Sequence, residues 1–354
     1  MFTNDPACPD ADTLAALRVD LASLAAATER DGPWRSGAFA RLAEHGLLAG
    51  FIATEDGGSG ATEAALLETL SGVASACLTT ALVLTQWASA CRIIATGPAD
   101  LRALLLPSLA RGEETATVGI AQLTTSRRHV STPALRAIRR GSSWWLDGTC
   151  PWVTGADSSD TIVTGAVSAD GTPVFFVIPT SAIGLTIGSP MPMLALSGSR
   201  TSSVTFDGVE PRAEIVPAAV SPARAGGLAT SALAIGATRA SIGLLDREAA
   251  ARPLLEPVAT SFRLEADDLA RRLGGLATTE SPDPAARDAL RTAANSLVIR
   301  AAQAALTATK GAGFIAGHPA ERGIRESMLF LVWSCPQQVA SAMICELAHL
   351  GQPA

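Results

Sequence analysis

The stretch Ser143-Trp-Trp-Leu-Asp-Gly-Thr-Cys-Pro-Trp-Val-Thr-Gly-Ala156 decides how this chain is read. Paired aromatics, an Asp-Gly step and a Trp-Val-Thr run closed by glycine mark an extended segment bounded by turns. Nearby lie Thr161-Ile-Val-Thr, Pro173-Val-Phe-Phe-Val-Ile and Ser202-Ser-Val-Thr-Phe, each edged by Gly, Asp, Ser or Pro. Together they predict a central antiparallel β domain over residues 117–217. On both sides the texture turns helical. Leu14, Leu17, Leu21 and Leu24, then Phe39, Leu42 and Leu47, recur at helical spacing and predict an N-terminal helical domain over 1–116. Segments rich in Ala, Leu and Arg around 225–252, 257–274, 284–311 and 319–350 predict a C-terminal four-helix bundle within 218–354. Pro336 is placed to kink or break its last helix. The fold class is α+β.

Composition narrows the chemistry. The chain has 354 residues, is 48% hydrophobic and only 17% charged, so a large core is available and disorder is not expected. It has no tyrosine and one lysine, Lys310, which is followed by Gly311. A tyrosine acid paired with lysine is excluded, and so is a phosphate-binding loop. A net charge of −6 argues against nucleic acid and against an anionic membrane surface as partners. Six cysteines without C-x-x-C spacing and four histidines give no metal site. The acidic start, Met1-Phe-Thr-Asn-Asp-Pro, lacks a signal-peptide layout, so a reduced, cytoplasmic protein is expected. Thr69 to Cys91 carries no charge over 23 residues, which is long enough to span a bilayer. Its Ser and Thr content, Gln86 and its many alanines favour a buried bundle helix, and no membrane is expected.

Several segments in order resemble the acyl-CoA dehydrogenase superfamily of FAD proteins. They are Leu42-Ala-Glu-His-Gly-Leu-Leu, Glu55-Asp-Gly-Gly-Ser-Gly and Leu104-Leu-Leu-Pro-Ser-Leu-Ala-Arg-Gly-Glu, then Leu146 to Ala156, then Leu196 to Glu210. Gly311-Ala-Gly-Phe, Pro319-Ala-Glu-Arg and Arg325-Glu-Ser complete the series. The resemblance implies FAD lying between the β domain, the bundle and a neighbouring subunit of a homodimer or homotetramer. It places Trp152 and Thr154 beside the flavin ring, and Leu123 and Thr124 at its pyrimidine edge. Gly311, Gln338 and Arg252 are implied on the bundle side. A core aromatic is the bland alternative for Trp152, and a helix-ending glycine for Gly311.

The pattern breaks at the catalytic position. Family members have a glutamate nine residues after the arginine matched by Arg325, and it abstracts the substrate's α-proton. Here that position is Ser334, followed by Cys335 and Pro336. An unassisted serine hydroxyl is too weak a base for a carbon acid. Some relatives carry the base at the start of the first bundle helix, but Ala225-Gly-Gly-Leu offers no carboxylate. Arg127, Arg128 and His129 replace an acidic loop. They read equally as phosphate donors or as a solvated basic loop. Cys335 reads as a small buried helix residue, Arg325 and Glu326 as structural ion pairs, and Glu346 and His349 as surface charge.

Three functions stay open. One is an FAD-dependent oxidoreductase acting on an acyl thioester, of CoA or a carrier protein, with a non-standard or missing base. Another is a flavin-dependent monooxygenase of the same fold. The last is a non-redox scaffold that binds FAD weakly or not at all.

Overall fold

The computed structural model describes residues 5, 7–30, 34–35, 37–124, 134–169, 171–216 and 227–350. The chain runs from helices through a sheet to helices again. The amino-terminal helices are α1 (Ala11–Arg30), α2 (Ala38–Glu44), α3 (Glu63–Ala76), α4 (Leu78–Ile94) and α5 (Ala99–Ala110). Thr62 starts α3 by accepting a hydrogen bond from the Ala65 amide at 3.4 Å, which satisfies one of the orphan donors of a first turn. The charge-free run does not form one helix. It breaks at Cys77, whose backbone is extended (φ −151°, ψ 105°), and the Thr80 hydroxyl donates to the Cys77 sulfur at 3.1 Å. Thr69–Cys91 is therefore two short core helices that meet at an angle, not a single bundle helix.

The sheet follows. Its strands are β1 (Ala116–Gly119), then, after the one-turn helix α6 (Ala121–Thr124), β2 (Leu135–Arg140), β3 (Ser143–Val153), β4 (Thr161–Val167), β5 (Pro173–Pro179), β6 (Leu185–Ile187), β7 (Ser202–Val209) and β8 (Ala213–Ile215). The spatial order is β6-β7-β3-β2-β4-β5-β8, with β1 beside β4. Most pairings are antiparallel, as the turn-bounded runs predict. The exceptions are β1 with β4, and β2 with β4 through the single pair Arg136 and Val167. Alternation along β4 and β5 serves two cores. Ile162, Phe176 and Ile178 point into the sheet's own core, while Val163, Phe175 and Val177 join the core of the helices.

The carboxy-terminal helices are α7 (Leu228–Ala251), α8 (Glu256–Ala277), α9 (Pro284–Gly313), α10 (Pro319–Ser327), α11 (Leu329–Val332) and α12 (Gln337–Leu347). By length and composition α7 is apolar enough to cross a membrane, yet 67% of its apolar window is buried inside the protein, largely against α3 and α9. Gly236 permits that closeness: a Cβ there would lie 2.3 Å from the Ser71 carbonyl oxygen of α3. The fourth predicted helix, 319–350, is broken into α10, α11 and α12. Met328 separates the first two and residues 333–336 the last two, with Pro336 at the N-cap of α12.

Candidate functional site

The residues picked from sequence fall into three groups. At the sheet, β1 and α6, which carries Leu123 and Thr124, lie against β3, which carries Trp152 and is followed by Thr154. The Thr117 hydroxyl donates to the Thr154 carbonyl at 2.7 Å. Trp152 is 48% exposed, unusual for so large an aromatic and contrary to a core role. Thr154 is buried, and its hydroxyl meets that of Thr201 at 3.1 Å. Leu123 rests over Gly165, where an added Cβ would lie 2.3 Å from its Cδ1. The side chain of Thr124 lies outside the described residues, as do Arg127, Arg128 and His129.

Gln122 organises this wall, a role the sequence reading did not assign to its side chain. Its Nε2 donates to the Gly165 carbonyl at 2.7 Å, and its Oε1 accepts from the Cys150 thiol at 3.0 Å. Burial pushes the Cys150 thiol up to about 12, so it remains a neutral donor.

The second group sits where α7 and α9 end. Lys310 breaks α9 with φ 56° and ψ −147°, so carbonyls just before it lose their regular partners. Arg252 answers by donating to the Ala308 carbonyl while pairing with Glu248. Gly311 lies in open space three residues on. Arg252 is thus engaged as a cap for the chain itself.

The third group is the turn from Trp333 to Pro336. Ser334 adopts φ 46°, and it and Cys335 are half-exposed. Cys335 lies in this turn, not in a helix as expected. Gln338 is exposed in the first turn of α12. Beneath the turn, α9 presents Arg291 and Asn295. The Arg291 Nη2 donates to the Trp333 carbonyl at 3.1 Å, its Nε donates to Asn295 Oδ1 at 2.9 Å, and Asn295 Nδ2 donates to the Phe330 carbonyl at 2.7 Å. These bonds take up carbonyls at the end of α11 that no continuing helix satisfies. At the second base position Gly227 precedes α7 as its N-cap. Ala225 and Gly226 lie outside the described residues.

Nearby, the ion pairs expected of Arg325 and Glu326 form. Arg325 pairs with Glu29 of α1 at 2.7 Å and with Glu321 at 2.5 Å, and donates to the Leu194 carbonyl, tying all three parts of the chain together. Glu326 lies 3.7 Å from Arg322. Burial pushes its carboxyl up to about 7, against the pull of Arg322 and Arg325. Glu346 is exposed and accepts from the Ser296 hydroxyl.

Known proteins share this architecture. Residues 14–113 match the model of the acyl-CoA dehydrogenase N-terminal domain. A probable acyl-CoA dehydrogenase, YngJ of Bacillus subtilis, is 24% identical over 92% of this chain and 93% of its own. Butyryl-CoA dehydrogenase from Megasphaera elsdenii superposes with a TM-score of 0.80 at 15% identity, covering 95% of this chain and 97% of its own. The whole chain has the acyl-CoA dehydrogenase fold, and its amino-terminal helices match that family's own domain model. FMN-bound TdsC from Paenibacillus sp. A11-2 shares the same fold, with a TM-score of 0.76 at 18% identity over 97% of this chain and 98% of its own.

The site residues fit the flavin that the superfamily implies on one side only. An exposed indole, a buried hydroxyl row and the α6 backbone suit a flat ring with polar edges. On the bundle side the guanidinium of Arg252 is already taken and position 334 holds no carboxylate.

Proposed function

We propose that this acyl-CoA dehydrogenase-fold chain is an FAD-dependent oxidoreductase for acyl thioesters whose α-proton is acidic enough to leave without a carboxylate at position 334. A bound flavin supplies the hydride acceptor. The chain's own part is to expose Trp152 as a flat wall, to orient the Thr154 region through Thr117 and Thr201, and to fix the turn opposite. The observation that carries the reading is that turn: Ser334 stands where a base is needed, and the charged side chain hydrogen-bonded to the turn from α9 is a cation, Arg291, on the Trp333 carbonyl. A cation lowers the cost of an anion but abstracts no proton. The superfamily's thioester-acting relatives support the substrate class, and the FMN-bound relative supports a flavin. We also assign the chain to a homodimer or homotetramer in the cytoplasm, on the superfamily resemblance and the exposed Phe314, Ile315, Val332 and Ile344 of the carboxy-terminal part.

The test uses purified protein reconstituted with FAD under anaerobic conditions. Butyryl-CoA should leave the visible flavin band intact. 2-Acetylbutyryl-CoA, whose acetyl group acidifies the α-carbon and whose β-carbon still carries a hydride, should bleach it. Failure of both thioesters, with oxygen consumed once the protein is chemically reduced, would replace this reading by the monooxygenase. No flavin band at all would replace it by the scaffold.

A further inference from the structure

Arg291 is the most anomalous charge among the described residues. Its side chain is 1% exposed, and its Nη1 is buried without a partner. Its hydrogen bonds go to a neutral amide and a backbone carbonyl. Burial pulls the guanidinium down to about 10, and only a Cys335 thiolate would oppose this, yet burial holds that thiol protonated and neutral. Asp288, one turn earlier on α9, faces Cys335 and adds to that protonation. A buried cation whose remaining donor meets no oxygen is costly, and such groups persist where something completes them.

The location says what completes it. The guanidinium donates to the Trp333 carbonyl, at the start of the turn in which half-exposed Ser334 occupies the superfamily's base position. We propose that Arg291 binds an oxyanion of the substrate, an enolate or a carboxylate, beneath the Trp333–Cys335 turn. This rests on the reading of a substrate that needs no base and deepens it: a substrate that ionises easily arrives as an anion, and the site supplies the matching charge. Arg291 Nη1 donates to the oxyanion while Nη2 keeps the Trp333 carbonyl. Entry requires the Trp333–Pro336 turn to shift, and non-helical backbone separates that turn from α11 and α12.

The probes are acetate against acetamide, and acetylacetone, whose enolate has its own near-ultraviolet band. All are added to the full chain without flavin, so the outcome is independent of flavin binding. Acetate should raise the melting temperature of the wild type by about 2 °C more than acetamide at equal concentration. Arg291→Met should abolish that difference. Arg271→Gln, which alters an exposed arginine, should keep it. Bound acetylacetone should show the enolate band below the pH at which the free compound ionises, which identifies the anion of the reacting carbon. Acetate binding without that band identifies a carboxylate tail. Equal stabilisation by acetate in wild type and Arg291→Met overturns the proposal. So does a wild type that distinguishes neither acetate from acetamide nor enolate from enol, a result that holds even if Arg291→Met fails to fold.

Discussion

The two walls of the site have diverged to different degrees. The β wall is a closed system: Thr117, Thr154 and Thr201 satisfy one another, Gln122 ties two strands together through Gly165 and Cys150, and Trp152 stands out to solvent. The bundle wall is open in its bonding. It holds a serine at 334, pairs Arg252 with Glu248, places a lysine in a glycine conformation at 310 and leaves one nitrogen of a buried guanidinium without a partner. A binding surface can be kept while the reacting group opposite is rebuilt, because binding needs shape and satisfied donors whereas proton transfer needs one group of the right basicity.

That contrast gives the largest expected effect. Trp152→Ala should weaken FAD retention by about 10- to 100-fold, the usual range for removing an anchoring aromatic, read by equilibrium dialysis against free FAD. Arg252→Ala should change it by less than about threefold, because that guanidinium serves Glu248 and the Ala308 carbonyl. If Arg252→Ala has the greater effect, the two walls have been ranked wrongly.

A second way to break the comparison is pH. Glu326 on the bundle side is raised from 4.5 to about 7. Between these values the folded protein holds a proton that the unfolded chain releases, so stability falls as pH rises through that window and stays reduced above it. Glu326→Gln should therefore gain about 2 kcal/mol relative to wild type on going from pH 4 to pH 8, measured by denaturant melts at both values. An equal difference at both pH values would remove the buried acid from the account.

The smallest effect belongs to Lys310. Its φ of 56° and ψ of −147° suit glycine, so Lys310→Gly should stabilise the fold by about 1 kcal/mol after glycine's own entropy loss. A destabilised variant would mean that the lysine side chain holds the break together.

How far these features could be seen in the sequence depended on their range. The strands were legible because alternation and Gly- or Pro-marked ends are local, and the helices because their periodicity is. Ser334 was visible by counting from Arg325. The break at Cys77 was not, since Ala-Cys-Leu has no turn residue and only packing against α7 and the sheet bends it. The turn after α11 was half visible: Pro336 signalled it, but Leu-Phe-Leu-Val-Trp before it reads as continuing helix. Arg291 was invisible, because an arginine in an Ala-rich helical segment reads as solvent-facing until α11 and α12 fold over it. Arg252 showed its charge but not the carbonyl that claims it, which exists only because α9 breaks at Lys310.

The central claim is that position 334 has lost its base while the rest of the site still accepts a flavin. Ser334→Glu tests it most directly. Wild type and variant, both loaded with FAD, are mixed anaerobically with butyryl-CoA, and the flavin absorbance is followed in a stopped-flow spectrometer. The expected result is a stable oxidised spectrum for wild type and bleaching for Ser334→Glu, at least about 100-fold faster, the low end of what a positioned general base contributes. Bleaching of the wild type at the rate of the variant would contradict the account, because a base would then be present elsewhere in the site.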